Sequence, residues 1–255
     1  MPRQRSGPVK PLSKAAAKLR LLKKLHCTTK YEKPLWTSGV RYVAGVDEVG
    51  RGSLFGPVVA AAVILDPAYR IRGLRDSKLL PQLKREELDH RIRQHALAFS
   101  IAAVDVARID QINIYWASQL AMEIAVSGLS TRPEHLLIDA MKIKFDCPQT
   151  PIIHGDALSA SIAAASIIAK VERDAMMCAW DPIYPQYGLA SNKGYYTRKH
   201  IQSHREHGPS PLHRQSFAPV WTASAPQELL EFMLEESDDL AAEAASLSED
   251  NSDQR

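Results

Sequence analysis

The stretch Val43-Ala44-Gly45-Val46-Asp47-Glu48-Val49-Gly50-Arg51-Gly52 decides the reading of this chain. An apolar, β-branched run ends in two adjacent carboxylates. A turn containing Gly50, Gly52, Gly56 and Pro57 follows, and then a second apolar run, Val58–Leu65. Both runs have the composition of buried strands. Side chains alternate along a strand, so Asp47 and Glu48 should leave it on opposite faces. The glycines after them allow a bend that would bring both acids to one cation. Leu136-Leu137-Ile138-Asp139 repeats the pattern as a short buried strand ending in an acid, and His154-Gly155-Asp156 marks a change from strand to helix.

Carboxylates that converge at one sheet edge repel one another and raise each other's pKa. Hard divalent cations relieve that repulsion, and carboxylate oxygens are the ligands that Mg²⁺ or Mn²⁺ prefers. Taken singly, each acid reads as a turn residue or an ion-pair partner; the repeated strand-end setting favours the metal. Gly50, Gly52 and Gly56 also resemble a dinucleotide fingerprint, but that motif needs a helix after it, and a strand-like run follows here. The loop lacks the Gly-Lys-Ser/Thr ending of a phosphate-binding loop as well.

Outward from this stretch, the spacing predicts strands over residues 42–47, 58–65, 99–104, 135–139 and 152–154. It predicts helices over 81–97, 109–126 and 158–177. Neighbouring strands come first and then alternate with helices, so the sheet should be mixed, with helices on its faces. Trp116 and Trp180, in helical apolar stretches, read as core. Ser161 and Ser166, on an alanine-rich face, read as positions of close helix packing, and Asp174 as a structural acid. His154 and His213 read as hydrogen-bonded structural groups, since the nine histidines show no metal spacing.

The chain has 255 residues, 45% of them hydrophobic, enough for one substantial core. No apolar run is long enough to span a bilayer, and none follows the basic N-terminus as an export signal would. Cys27, Cys147 and Cys178 are widely spaced, which argues for a reducing cytoplasm and against a disulfide framework or zinc cluster. The net charge of +3 hides a gradient. Residues 1–30 form a basic arm, partly helical or disordered, with a helical candidate over 13–25; residues 225–255 form an acidic, largely disordered tail. The arm is either a phosphate contact or a solvated tail. Residues 31–224 carry the motifs and are expected to form the catalytic domain.

Gly45-Val-Asp-Glu-Val-Gly-Arg-Gly52 with Gly56-Pro-Val-Val resembles the signature of type 2 ribonuclease H, or ribonuclease HII. The likeness continues through Asp76-Ser77-Lys78-Leu79, Leu137-Ile-Asp139, Gly155-Asp156 and Ser161-Ile-Ala-Ala-Ala-Ser-Ile-Ile-Ala-Lys170-Val-Glu-Arg-Asp174. It ends with Asn192-Lys193-Gly194-Tyr195 and Pro211-Leu-His-Arg-Gln-Ser-Phe217. The resemblance implies an α/β ribonuclease H-like fold, a five-stranded mixed sheet with helices on both faces. It implies an endonuclease that hydrolyses the RNA strand of RNA–DNA hybrids and cuts 5′ of ribonucleotides embedded in duplex DNA, leaving 5′-phosphate and 3′-hydroxyl ends. Asp47, Glu48, Asp139 and Asp156 would be the catalytic, metal-binding acids, holding two Mg²⁺ or Mn²⁺ ions roughly 4 Å apart about the scissile phosphate. The Gly50-Arg51-Gly52 backbone would meet the ribose 2′-hydroxyl, and Tyr195 the following deoxyribose. Arg51, Lys78, Lys170 and Lys193 would contact phosphates. Tyr195 by itself also reads as a core aromatic. Ser53, Asn192 and Tyr196 depart from residues frequent in the family, though none is a metal ligand.

Two rivals stand beside this reading: another nuclease of the same fold, such as a type 3 enzyme or a resolvase, and an inert hybrid-binding module. Retention of all the acids disfavours the module, and the Lys-Gly-Tyr motif favours type 2. The tail peptide Gln227-Glu228-Leu229-Leu230-Glu231-Phe232 resembles a sliding-clamp docking motif, with an amphipathic helical turn as the alternative. A monomer is expected.

Overall fold

A computed structural model describes residues 24–224. The acidic tail, the 227–232 peptide and nearly all of the helix expected over 13–25 lie outside the described residues. The described chain forms two compact units: the chain up to Arg51 with Pro57–Met176, and Gly52–Gly56 with the chain from Met177 onward.

The first unit contains, in order, α1 (Glu32–Thr37), β1 (Val43–Val49), β2 (Val58–Leu65), a 3-10 turn (Ser77–Leu79), α2 (Gln82–His95) and β3 (Ala96–Val104). There follow α3 (Val106–Ser127), β4 (His135–Asp139), β5 (Gln149–Ile152), the single turn α4 (Gly155–Leu158) and α5 (Ala160–Trp180), whose last turn belongs to the second unit. The strands form one five-stranded sheet of order β3-β2-β1-β4-β5. β1 pairs antiparallel with β2 and parallel with β4, so the mixed sheet changes direction at the strand carrying Asp47 and Glu48.

Every residue of β2 is buried, as its unbroken apolar run requires. Val59, Ala61, Val63 and Leu65 pack with Leu88 and Ile92 of α2 and with the small and β-branched residues of α5. That leaves Ala60, Ala62 and Ile64 for the opposite face, where α3 packs across β1, β2 and β3. Gly45 pairs with Val63 and Leu137, which puts it on the α5 face. A Cβ built there would lie 2.0 Å from the Ser161 carbonyl carbon and 2.3 Å from the Ile162 nitrogen. Strand and helix backbones therefore touch at Gly45.

The start of α5 is fixed from α1. Glu32 is fully buried and accepts hydrogen bonds from Ser159 Oγ (2.5 Å), the Ser161 N–H (2.9 Å) and Ser161 Oγ (2.7 Å). Thr28 bridges the same point, donating its N–H to Leu158 O and accepting from the Ala160 N–H. These bonds hold Ser159 extended and split the helix expected over 158–177 into α4 and α5. Ser161 thus serves as a buried polar anchor as well as a small packing residue.

Other boundaries also shift. β5 covers Gln149–Ile152 rather than 152–154. As the outer strand it tolerates Pro151, and His154 turns left-handed (φ 58) and ends the extended run. The expected helix over 109–126 begins at Val106 and is broken at Asn113 (φ 64, ψ 166), a conformation costly for any residue but glycine. Asn113 Oδ1 accepts from the Tyr115 and Trp116 N–H groups at 2.9 and 3.3 Å, capping a new helical start. After the break Ala117, Ala121, Met122 and Ala125 face the sheet, and Trp116, expected in the core, is 49% exposed.

The second unit contains a 3-10 turn (Pro185–Tyr187), α6 (Leu189–Asn192), α7 (Arg198–His207) and α8 (Ala218–Ser224) around the Gly52–Gly56 segment. Phe55 is its buried centre, edge-on to Trp180, Tyr184 and His213. The segment is tied on both sides: the Leu54 N–H donates to Gly194 O (2.9 Å) and the Arg214 N–H to Leu54 O (2.9 Å). Ser53 Oγ donates toward Phe55 O (2.9 Å) and Gly194 O (2.8 Å), so the serine found in place of a frequent proline supplies its own turn contacts.

His213 lies within a directional chain of hydrogen bonds. The Ser210 N–H donates to His213 Nδ1 (2.9 Å), which leaves the ring proton on Nε2. That Nε2–H can then donate only to His200 Nε2 (3.1 Å), and His200 Nδ1–H donates to the Tyr195 carbonyl (3.1 Å). Burial, with the His200 and His204 charges, holds His213 down to about 3.

Two outcomes are expected. Gly45→Ala should lower the thermal melting midpoint by an amount equivalent to about 1–3 kcal/mol, because α5 must move off β1. In an NMR pH titration the His213 ring should stay neutral and protonated on Nε2 at about pH 5, where a solvated histidine is charged. Stability contributed by a neutral buried histidine is complete above its unfolded value of about 6.5 and is lost as pH falls toward its folded value.

Candidate active site

The first unit collects its acids at the ends of two parallel strands. Val46 pairs with Ile138, so Asp47 and Asp139 are the next residues on adjacent strands and leave on the α5 face, as Gly45 and Leu137 do. Asp47 is buried and its Oδ1 accepts the Glu48 N–H at 2.8 Å. Asp139 ends β4, and the next residue, Ala140, takes a left-handed turn (φ 53). Asp139 Oδ1 accepts the Gly155 N–H at 2.7 Å, tying the end of β4 to the first residue of α4. Asp156, next along α4, is buried. Gly155 thus ties the end of β4 to α4, which carries Asp156. A Cβ on Gly155 would meet Ile162 Cδ1 at 2.6 Å and Asp139 Oδ1 at 3.3 Å, so a side chain there would push against Ile162.

Glu48 follows the strand alternation. β1 stays extended through Val49, and the bend expected after the acids comes at Gly50 (φ 91). Glu48 Oε1 accepts from Arg51 Nη1 at 3.2 Å, and its other oxygen is buried without a protein partner among the described residues.

Electrostatics unite the group. Burial raises Asp47 well above the ordinary carboxylate range, and the Glu48, Asp139 and Asp156 charges raise it further. Glu48 is raised because burial outweighs the pull of Arg51. Asp139 is pushed up to about 6 by burial and by the Asp156 charge, against the opposing Gly155 hydrogen bond. Lys78 supplies the compensating cation, its Nζ 3.4 Å from Asp156 Oδ2. Partial burial lowers the Lys78 pKa, but the Asp156, Asp47 and Asp76 charges outweigh this and raise it overall.

Lys78 is itself positioned by Asp76, which the sequence reading left unassigned. Asp76 is buried, caps the 3-10 turn through the Lys78 N–H (2.9 Å), and is raised by burial and then by the Asp156 charge. An acid two residues before a candidate phosphate-binding lysine, at a turn start, was the signal available. Ser77 Oγ shares a 3.0 Å hydrogen bond with Ser166 Oγ, anchoring this turn to α5.

As placed, no three of the described Asp, Glu, His or Cys side chains close around a single point. Arg51 and Lys78 take up the charge of Glu48 and Asp156 instead. The donor set nonetheless fits a hard cation: it is all carboxylate oxygen, burial and then neighbouring charges raise Asp47 and Asp139, and one oxygen of Glu48 is left buried without a partner among the described residues.

The remaining sequence candidates divide. Gly50 and Gly52 are glycines for different reasons. A Cβ at Gly50 would lie 2.2 Å from Arg173 Nε, whereas one at Gly52 meets nothing within 4 Å. Of the two, Gly52 is the one with open space at its Cβ position. Lys170 is largely buried and pairs with Asp174 at 2.6 Å, with Arg85 3.6 Å from the same carboxylate. Its charge is engaged inside the fold, unlike that of the exposed Lys78, and Asp174 is structural as expected. In the second unit Lys193 (φ 54) caps α6 and approaches Cys178 Sγ at 3.1 Å, while the backbone of half-buried Tyr195 is held by Asn192, Ser53 and His200.

The sequence profile of Ribonuclease HII matches residues 44–220. A Ribonuclease HII of Koribacter versatilis (strain Ellin345) is 75% identical over 232 residues, 91% of this chain and 91% of that protein. The crystal structure of the ribonuclease H2 from Pyrococcus horikoshii OT3 superposes with a TM-score of 0.62 at 24% identity, covering 71% of this chain and 96% of that one. The ribonuclease HII of a complex from Archaeoglobus fulgidus gives 0.58 at 24% identity, covering 72% and 97%. These two structures establish the ribonuclease H-like fold. With a profile across most of its length and a relative of such identity, the chain belongs to the ribonuclease HII family of metal-dependent endoribonucleases.

Proposed function

We propose that this chain hydrolyses the RNA strand of RNA–DNA hybrids and cuts 5′ of ribonucleotides embedded in duplex DNA, leaving 5′-phosphate and 3′-hydroxyl ends. Asp47, Glu48, Asp139 and Asp156 are the acids that would hold two divalent ions, magnesium or manganese. The observation that carries this reading is their mutual electrostatic coupling at the ends of β1 and β4, with three of them raised above the ordinary carboxylate range. Such a cluster is costly by itself and stable beside a cation.

The chemistry such ions supply when bound is a more acidic water and compensation of the charge on a departing 3′-oxygen. The protein's own groups do the rest. Asp139 is oriented by the Gly155 N–H and Asp47 by the Glu48 N–H, each through its Oδ1. Arg51 and Lys78 are assigned to phosphates and would exchange their carboxylate partners for them. The backbone at Gly52, with open space where a side chain would be, is assigned to the ribose 2′-hydroxyl. Tyr195 is assigned to the deoxyribose that follows, a role resting on the Lys193-Gly194-Tyr195 motif.

The structure from Archaeoglobus fulgidus is of a PCNA:RNase HII complex. It supports assigning the 227–232 peptide to a sliding clamp, an assignment that otherwise rests on sequence. The three free cysteines suit a reducing cytoplasm, and a monomer is proposed.

The decisive assay uses a DNA duplex with one embedded ribonucleotide, beside all-DNA and long-hybrid duplexes, in Mg²⁺ or Mn²⁺. Cutting should fall immediately 5′ of the ribonucleotide and be lost in Asp139→Asn. Gly52→Val should fold normally yet lose discrimination between embedded ribonucleotide and DNA; cutting of the long hybrid alone by the unaltered protein would remove the junction roles of Gly52 and Tyr195.

A second outcome concerns pH. A carboxyl raised in the folded state costs nothing below its unfolded value of about 4 and destabilises as pH rises through its folded value. For Asp139 that window closes at about 6. Mg²⁺ should therefore raise the melting midpoint more at about pH 8 than at about pH 5. Asp139→Asn should raise the metal-free midpoint more at the higher pH than at the lower. Equal Mg²⁺ shifts at both values would separate these acids from metal binding.

A further inference from the structure

The break in α3 presents a surface that the acid site does not account for. Tyr115 and Trp116, the residues whose N–H groups Asn113 caps, are 45% and 49% exposed and meet edge to face at 5.1 Å. Beside them runs the Met141–Phe145 loop, which leaves β4 directly after Asp139 and Ala140 and carries the exposed Lys142 and Lys144. Lys144 Nζ stands 5.9 Å from the centre of the Trp116 ring. The two segments are joined rather than merely adjacent. Gln119 Nε2 donates to Lys142 O (2.8 Å) and to the Tyr115 hydroxyl (3.3 Å), and Glu123 Oε1 accepts the Lys144 N–H (2.8 Å).

Burial would be the ordinary fate of a tryptophan in this helix, and the helical period through Ala117, Ala121 and Ala125 would continue without Asn113. Instead a non-glycine residue holds a conformation nearly reserved for glycine, and the phase of the helix changes so that both rings face outward. Strain kept in this way is characteristic of positions where a surface has work to do. The composition of the surface selects its partner. Two ammonium groups on a short loop, flanked by flat amphipathic rings, match a polyanion with sugar faces between its charges. Glu123 accepts a backbone N–H of the loop, that of Lys144, and the Lys142 and Lys144 side chains are exposed.

We propose that Tyr115, Trp116, Lys142 and Lys144 form a backbone-binding ledge for the substrate duplex, contacting phosphates and sugars of a segment beyond the scissile bond. The proposal rests on the nuclease reading above and adds to it a binding surface continuous in sequence with Asp139. It also gives the Asn113 break a purpose: the capped turn sets the rings beside the loop that follows the acid. Specificity for ribose is not the ledge's task, because phosphate contacts position a duplex without reading it.

The experiment measures equilibrium binding of the full chain to a labelled RNA–DNA hybrid in EDTA, so that cleavage cannot intervene, across a series of salt concentrations. Lys142→Ala/Lys144→Ala should weaken binding about tenfold and reduce the slope of log K against log salt by about 1.8, the value for two lost phosphate contacts. Trp116→Ala should weaken binding with the slope unchanged, and Trp116→Phe should restore most of it. Lys84→Ala, which removes a lysine from α2, is the control and should leave the slope as it was. Melting curves of each variant report folding separately. A slope unchanged in the double lysine variant, with wild-type affinity, overturns the ledge; a protein partner would then better explain the exposed rings. Failure of the nuclease reading would look different, since the unaltered protein would then cut no hybrid in Mg²⁺ or Mn²⁺.

Discussion

Carboxylates brought together out of water repel one another, and much of the first unit is arranged around that repulsion. Parallel pairing of β1 with β4 sets Asp47 beside Asp139 at the same strand ends. The Gly155 N–H draws α4 against Asp139, which delivers Asp156 to the same place. Gly45 lets the β1 backbone touch the backbone of α5, and Gly155 packs against the side chains of Ile162 and Asp139. Lys78 and Arg51 offset part of the charge, and Asp76 holds Lys78 where it can do so. The fold thus carries a group of acids whose charged forms burial and neighbouring charges disfavour.

Much of this was legible in the amino-acid sequence, and the reasons differ by element. β2 and β4 are continuous apolar runs with abrupt ends, so their limits coincide with those expected. Asp47 and Asp139 stood out because each lies at the end of an apolar run, and Asp156 because it marks the change from strand to helix. β5 was displaced because an outer strand needs only part of its surface apolar, so Gln149-Thr150-Pro151 does not look like a strand. The Asn113 break was invisible because residues on both sides keep good helical composition. An asparagine that caps a helix from within carries no pattern distinguishing it from one in a helix interior. Trp116 was misplaced for the same reason: apolar periodicity tells which residues could face the core, not where the phase slips.

Buried charge outside the acid site follows a second logic. Arg173 and Arg214 are both fully buried, and each donates its Nε–H to a carbonyl of the glycine-rich segment, Pro57 O at 3.1 Å and Gly56 O at 2.9 Å respectively. Each belongs to the same compact unit as the carbonyl it binds. A guanidinium can satisfy a loop carbonyl that no strand or helix reaches, which makes burial of the charge tolerable. Neither arginine stood out in the sequence, since a basic residue near a candidate nuclease site reads first as a phosphate contact. Lys170 shows the same ambiguity, engaged with Asp174 although its motif suggested substrate.

Gly50-Arg51-Gly52 shows how far a short motif mixes fold with function. Gly50 needs a positive φ and has Arg173 packed where its side chain would be, so it would be required even in an inactive protein. Gly52 has open space in that position and no such packing reason. Packing therefore does not account for its glycine. Arg51 between them is paired with Glu48. The motif thus holds a glycine fixed by packing, a glycine that packing leaves open, and an arginine engaged in an ion pair. Neighbouring atoms separate the three; the letters of the motif do not.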